Sequence, residues 1–168
     1  MNTLQLTSAL ANNLWQPQQY QVLAIDELKN SEIKQYPCSF IVNLDPSTQP
    51  GSHWVAIYLD ECVLTGCSAE YFCSFASDIP PEIKSFFCNN CGYNGIVVAS
   101  ILPFQDPTIP SCGLWALDYI LHKSWGVPTK KYIKRFKQTD YVANEKKLIS
   151  RWGGNMNSLR FKFNDLAV

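Results

Sequence analysis

Long apolar runs are missing from this chain. No window approaches the eighteen or so residues that a membrane-spanning helix needs, so no membrane partner is expected. A basic start is missing as well: Met1 to Leu10 contains no lysine or arginine and no extended apolar stretch, so it does not read as a secretory signal. Together these absences lead to the expectation of a soluble, intracellular protein. Charge of one sign is not in excess, since 14 Lys and Arg balance 14 Asp and Glu. A global field attracting nucleic acid or membrane is thereby excluded. Histidine is scarce, with only His53 and His122, so imidazole chemistry has two candidates. There is no internal repeat, linker or low-complexity tract.

What is present suits one domain over residues 1–168. Apolar residues make up 46% and charged residues 17% of the chain, as in soluble globular proteins, and the length is enough to bury a core. The seven cysteines, at 38, 62, 67, 73, 88, 91 and 112, form an odd set without a secretion signal. They are expected to be core fillers, metal ligands or a nucleophile rather than a disulfide framework.

Periodicity outlines the elements. Leu6, Leu10 and Leu14 predict a helix over Thr3 to Trp15, followed by a loop rich in Gln and Pro. Ser39 to Leu44 reads as a strand closed by the turn-rich Asp45 to Ser52. Trp54 to Leu59 is apolar on both faces of a period-two strand and belongs in the middle of a sheet. Ala69 to Phe75 is a further strand, Pro80 and Pro81 open a helix through Phe87, and Gly95 to Leu102 reads as a strand. The clearest helix starts at Cys112, with Leu114, Leu117 and Leu121 on one face, Ser111 as N-cap, and Gly126 with Pro128 at its end. Shorter helices follow from Thr129 and over Asn144 to Trp152, and the last dozen residues are polar. The fold class is α+β, a small mixed sheet packed with helices.

Four residues could carry chemistry. His53 stands where a turn meets a buried strand, a place that holds a side chain rigidly, whereas His122 lies late in a helix, where a solvated or capping role suffices. Cys112 opens the strongest helix, whose unpaired amides favour a thiolate there; on its own it reads equally as a buried cysteine. Gly113 leaves room for a substrate backbone. Gln105, seven residues before Cys112, carries an amide able to donate to a developing oxyanion.

The ordered set Tyr36-Pro-Cys-Ser-Phe-Ile-Val-Asn, Pro50-Gly-Ser-His-Trp-Val-Ala-Ile-Tyr, Tyr71-Phe-Cys-Ser-Phe, Gln105 and Ser111-Cys-Gly-Leu resembles the adenovirus proteases. The versions in Polinton-type elements and related DNA viruses are nearest in character, and the SUMO- and ubiquitin-like-protein proteases are more distant. The resemblance is strongest over 36–125. It implies a papain-like site in circularly permuted order, with His53 as base, Cys112 as nucleophile, Gln105 as oxyanion donor, and Trp54 shaping the cleft. It further implies a thiol endopeptidase without an organic cofactor that matures viral structural precursors, cutting polypeptides near glycine or other small residues, in a host nucleus or virion. A deconjugating protease for ubiquitin-like modifiers is the alternative on the same fold. DNA and a viral peptide, known activators in the family, become candidate partners.

One position departs from the pattern. The family carries Asp or Glu where this chain has Cys73, and Gly where it has Ala76. A thiol is a weak hydrogen-bond partner for imidazole, so weak activity is expected, and a non-catalytic binding module is the second alternative. Glu70, three residues earlier on the strand, points to the other face. Cys62, Cys67, Cys88 and Cys91 are spaced so that a four-cysteine zinc site is conceivable, but plain thiols are expected and no metal ligand is assigned. Lys130, Lys131, Lys134, Arg135 and Lys137, interleaved with Tyr132, Ile133 and Phe136, read as the solvated face of an amphipathic helix, with a DNA contact as the alternative.

Overall fold

The segment that is apolar on both faces, Trp54–Asp60, is the middle strand of a five-stranded sheet in the computed structural model, which describes residues 1–14, 18–61, 67–92 and 96–152. In chain order the strands are β1 (Gln19–Ala24), β2 (Cys38–Asn43), β3 (Trp54–Asp60), β4 (Ser68–Phe72) and β5 (Ile96–Val98), and they lie side by side in that order. The β2–β3 and β3–β4 pairs are antiparallel, while β1 and β5 add at the two edges in parallel. The sheet is therefore mixed, and the α+β expectation holds.

Alternation along β3 assigns the two layers. Trp54, Ala56 and Tyr58 face α1 (Thr3–Asn13), α3 (Cys112–Ser124), α4 (Thr129–Ile133) and α5 (Tyr141–Trp152). Val55, Ile57 and Leu59 face α2 (Pro81–Cys91) and the short 3₁₀ turn Leu28–Asn30. Burial on both sides explains why β2 and β3 are almost continuously apolar. α3 is buried nearly all round, since Trp115 to Leu121 have no appreciable exposure, and it packs directly across β3. Asn2 and Gln5 start α1 with a reciprocal capping box.

The structure corrects several expectations. The stretch read as a Gln-rich loop contains β1, because Tyr20, Val22 and Leu23 pack against the core from an edge where alternation is weak. The strand expected over Ala69 to Phe75 ends at Phe72, because the Ala76 amide donates to the Cys73 carbonyl and turns the chain. The strand expected over Gly95 to Leu102 stops at Val98, with Ile96–Val98 as β5 and Gly95 outside the described residues, and the helix expected to stop at Phe87 runs on to Cys91. Cys67 and Cys91 are joined by a disulfide, contrary to the expectation of free thiols: the start of β4 and the end of α2 meet with Cα atoms 4.9 Å apart. Two of the four cysteines considered for zinc are thus bonded to each other, and Cys62 lies outside the described residues.

The turn leading into β3 depends on Gly51. Its φ is +92°, and a Cβ there would meet Asn43 Nδ2 at 2.3 Å. The Asn43 side chain cannot easily withdraw, because its Oδ1 accepts from the Asp45 amide. Gly51→Ala is expected to lower unfolding stability by about 1–3 kcal/mol in a denaturant titration; a change below about 0.5 kcal/mol would mean that the turn adapts freely.

Candidate active site

β3 delivers His53 to the end of the sheet. The backbone there is pinned, since the Leu44 amide donates to the His53 carbonyl at 2.9 Å and Asn43 pairs with Trp54 in the β2–β3 register. The side chain is 9% exposed. Its Nε2 lies 3.2 Å from Cys73 Sγ, and its ring stacks on Phe75 with centroids 4.7 Å apart. Nδ1 is buried and has no hydrogen-bond partner among the described residues. One nitrogen is thus anchored while the other is left free to take a proton. Burial pushes the His53 pKa down to about 4, so the ring is neutral at neutral pH and is competent as a base.

The turn after β4 supplies most of the support. Cys73 holds Nε2 and Phe75 covers the ring face, while Ser74 Oγ donates to Gln105 Oε1 at 2.6 Å. The Ser74 carbonyl accepts from the amides of Phe104 and Gln105 at 2.9 and 3.3 Å. Ala76 closes this turn with φ +55°, the left-handed region that favours glycine. The Tyr71 hydroxyl is buried beside the Cys73 sulfur without a well-formed hydrogen bond among the described residues; burial first, then that sulfur, raises its pKa. Three consecutive residues, 73 to 75, therefore link the histidine to the glutamine.

Gln105 is 1% exposed and held at both ends, with Oε1 on Ser74 and Nε2 donating to the Ile109 carbonyl at 2.6 Å. A primary amide has two N–H bonds, so one remains after the Ile109 contact.

Cys112 is a free, half-buried thiol at the first position of α3. The start of α3 meets the start of β3: a Cβ on Gly113 would stand 3.2 Å from Trp54 Cδ1 and 3.2 Å from Met1 Cβ. Glycine eases the close approach of helix to indole here, and the room expected for a substrate is partly filled by Trp54 and Met1. Trp54 Nε1 donates to the Met1 carbonyl at 3.1 Å. His53 and Cys112 are each adjacent in sequence to a residue of that contact. They do not hydrogen-bond to each other among the described residues.

Ser111 stands at the N-cap but makes no capping bond with its side chain. Its hydroxyl donates instead to Glu145 Oε1. Sequence reading missed Glu145, which lies 34 residues away, and also missed Ser74 and Phe75, although both sit inside the Tyr71–Phe75 motif that carried the resemblance.

The remaining candidates fall elsewhere. Glu70 faces α3, where it pairs with Lys123 at 3.0 Å and accepts from Tyr119 and Thr129, so it does not reach His53. His122 is not solvated as expected. It is 1% exposed, with Nδ1 on the Asp118 carbonyl at 2.6 Å and Nε2 facing Arg135 and Arg151, and burial holds its pKa low. The polar side chains of α5 and the loop after α4 turn that helix end into an interior, which a single-helix reading cannot show. Arg135 accordingly leaves the basic cluster, while Lys130, Lys131, Lys134 and Lys137 stay exposed. Among the described residues no three His, Cys, Asp or Glu side chains gather as a metal site, and no helix is long and apolar enough to cross a membrane.

Two crystal structures share this fold, one of ASFV pS273R protease and one of its selenomethionine form. They match with TM-scores of 0.55 and 0.53 and 18% identity, each over 87% of this chain. The chain spans 62% and 63% of those proteins, under two thirds of their length. No protein-family model matches the sequence, and no curated protein matches it. At this identity the likeness shows the fold alone, an α+β domain shared with those two structures.

Proposed function

We propose that this chain is a cysteine endopeptidase, one domain over 1–168, in which Cys112 attacks the scissile carbonyl. One observation carries the reading: the His53 ring is fixed through Nε2 and Phe75 while Nδ1 is buried and, among the described residues, unpartnered, at the strand end that abuts the first turn of α3. An imidazole held this way is a general base for a thiol brought to its open nitrogen. The thiol proton passes to Nδ1, and the Sγ–carbon bond forms. The oxyanion is held by the Cys112 amide and the remaining Gln105 N–H. The tetrahedral species then expels the amine, which takes the proton back from His53, and water hydrolyses the thioester.

The protease fold of the solved neighbours supports polypeptide substrates. The finer reading follows the adenovirus-protease resemblance: viral structural precursors cut beside glycine or other small residues, in a host nucleus or a virion. The exposed Lys130, Lys131, Lys134 and Lys137 are the natural contacts for a DNA activator.

The test uses a peptide vinyl sulfone ending in glycine, with adducts mapped by mass spectrometry. A single adduct on Cys112, lost in His53→Ala, is expected. Preferential modification of Cys38, Cys73 or Cys88 with Cys112 untouched would overturn the assignment.

A further inference from the structure

Glu145 is a buried carboxylate that this catalytic reading does not use. It is 2% exposed, and it points from α5 into the space behind the start of α3. A single oxygen, Oε1, accepts three donors: Ser111 Oγ at 2.8 Å, Trp115 Nε1 at 3.1 Å and the Asp106 amide at 3.3 Å. Its other oxygen is buried without a partner among the described residues. An acidic group placed so deeply with no cation on it among the described residues is costly to retain, which calls for a reason beyond packing.

Its three donors supply the reason. Asp106 directly follows Gln105, and Ser111 directly precedes Cys112. The two proposed oxyanion donors, the Gln105 amide and the Cys112 backbone N–H, are thus tied to one oxygen atom. Asn144, the adjacent residue on α5, holds the other side of the glutamine, donating to the Phe104 carbonyl at 3.2 Å and to the Lys137 carbonyl at 2.6 Å. Backbone groups on both flanks of Gln105 are therefore gripped from α5. There is a second consequence at the helix start. An N-cap serine ordinarily turns its oxygen onto the first-turn amides, but here the Ser111 hydroxyl is committed to Glu145 and no side chain caps α3. The first-turn amides are kept free of their commonest competitor for an anion.

We propose that Glu145 is a positioning residue that sets the spacing of the oxyanion site and keeps the Ser111 hydroxyl off the α3 amides. It touches neither the substrate nor the reacting atoms. The proposal rests on the protease reading of Cys112, His53 and Gln105, and it adds a residue from a helix that the resemblance does not include.

An acceptor role makes Glu145→Ala and Glu145→Gln behave differently, because the amide retains Oε1 as an acceptor of similar reach. For Glu145→Ala, kcat on a glycine-containing peptide should fall about 10- to 100-fold with little change in KM, the size expected when an oxyanion donor is misplaced. The inhibition constant of a peptide aldehyde, whose thiohemiacetal oxygen occupies the oxyanion site, should weaken in parallel. Alkylation of Cys112 by iodoacetamide, which has no oxyanion, should stay within about twofold. Glu145→Gln should recover most of the loss in both readouts. Ser111→Ala, a smaller change that removes one of the three donors, covers the case in which Glu145→Ala does not fold; it should weaken the aldehyde and lower kcat by about three- to tenfold. Unchanged aldehyde inhibition in the folded variants, or iodoacetamide reactivity falling as steeply as kcat, overturns the proposal. If the unsubstituted chain shows no Cys112-dependent cleavage, the protease reading itself fails and this inference fails with it. Cys112-dependent cleavage that is indifferent to Glu145 and Ser111 overturns the inference alone.

Discussion

Cys112→Ala is expected to remove peptide cleavage by a factor of about 10⁴ or more, the scale seen when a covalent nucleophile is deleted and only binding and oxyanion contacts remain. The argument is chemical before it is geometric. Without the sulfur no thioester can form, and water must attack an amide directly with His53 as its only base. The substitution should be structurally mild. Cys112 is half-buried at a helix start and makes no side-chain hydrogen bond among the described residues, and alanine is the best helix former. A stability change of less than about 1 kcal/mol is expected, since little more than one small apolar group is lost. Activity and thermal unfolding measured on the same preparation check both halves. Cleavage that survives in a folded Cys112→Ala protein would show that another group does the chemistry.

The second large effect concerns the partner of His53. In this chain the group on Nε2 is a thiol, with Cys73 Sγ 3.2 Å away. A thiol is a weak donor and a weak acceptor, so it neither selects one imidazole tautomer firmly nor stabilises the imidazolium formed when Nδ1 takes the proton. Burial adds to the problem by holding the His53 pKa near 4, which makes the protonated intermediate expensive. A carboxylate at this position would accept from Nε2–H, leave Nδ1 as the free acceptor, and offset the desolvation of the cation. In serine enzymes losing that arrangement costs about 10⁴-fold; a thiol nucleophile is more acidic than a hydroxyl, so less is at stake here.

Cys73→Asp is therefore expected to raise kcat by about 10- to 100-fold on one substrate at fixed pH. A linked shift follows in the pH profile. The base must be unprotonated, so activity rises as pH increases through the His53 pKa. In the unsubstituted chain that acid limb should lie near pH 4, and the added carboxylate should move it upward by favouring the charged ring. Some stability should be lost, because position 73 is 2% exposed and a carboxylate is larger and more polar than a thiol. Should kcat stay level or drop while the acid limb stays near pH 4, Cys73 is not the group that orients His53.

The candidate site was partly legible because it is written in short motifs. His53 and Trp54 stand together, as do Ser111, Cys112 and Gly113, and Cys73 stands in a five-residue block. The first two motifs lie at the starts of elements whose periodicity is strong: β3 is apolar on both faces, and α3 has a clear apolar stripe. Alternation also placed Glu70 on the opposite face from the site, where it meets Lys123 and Tyr119. Such readings succeed because side-chain direction in a strand or helix follows from local geometry.

By itself, then, the sequence determined which residues begin β3 and α3, the α+β class, and the presence of a thiol where a carboxylate was expected. Tertiary structure decided what those residues touch. Only the turn at Ala76 brings Ser74 onto Gln105 and Phe75 onto His53, only the packing of α5 carries Glu145 behind Ser111, and only the meeting of β4 with α2 joins Cys67 to Cys91. These contacts join residues 22 to 34 positions apart in the chain. Periodicity reports which face of one element is buried, whereas the partner across that face depends on how separate layers settle against one another, a property of the packed core as a whole.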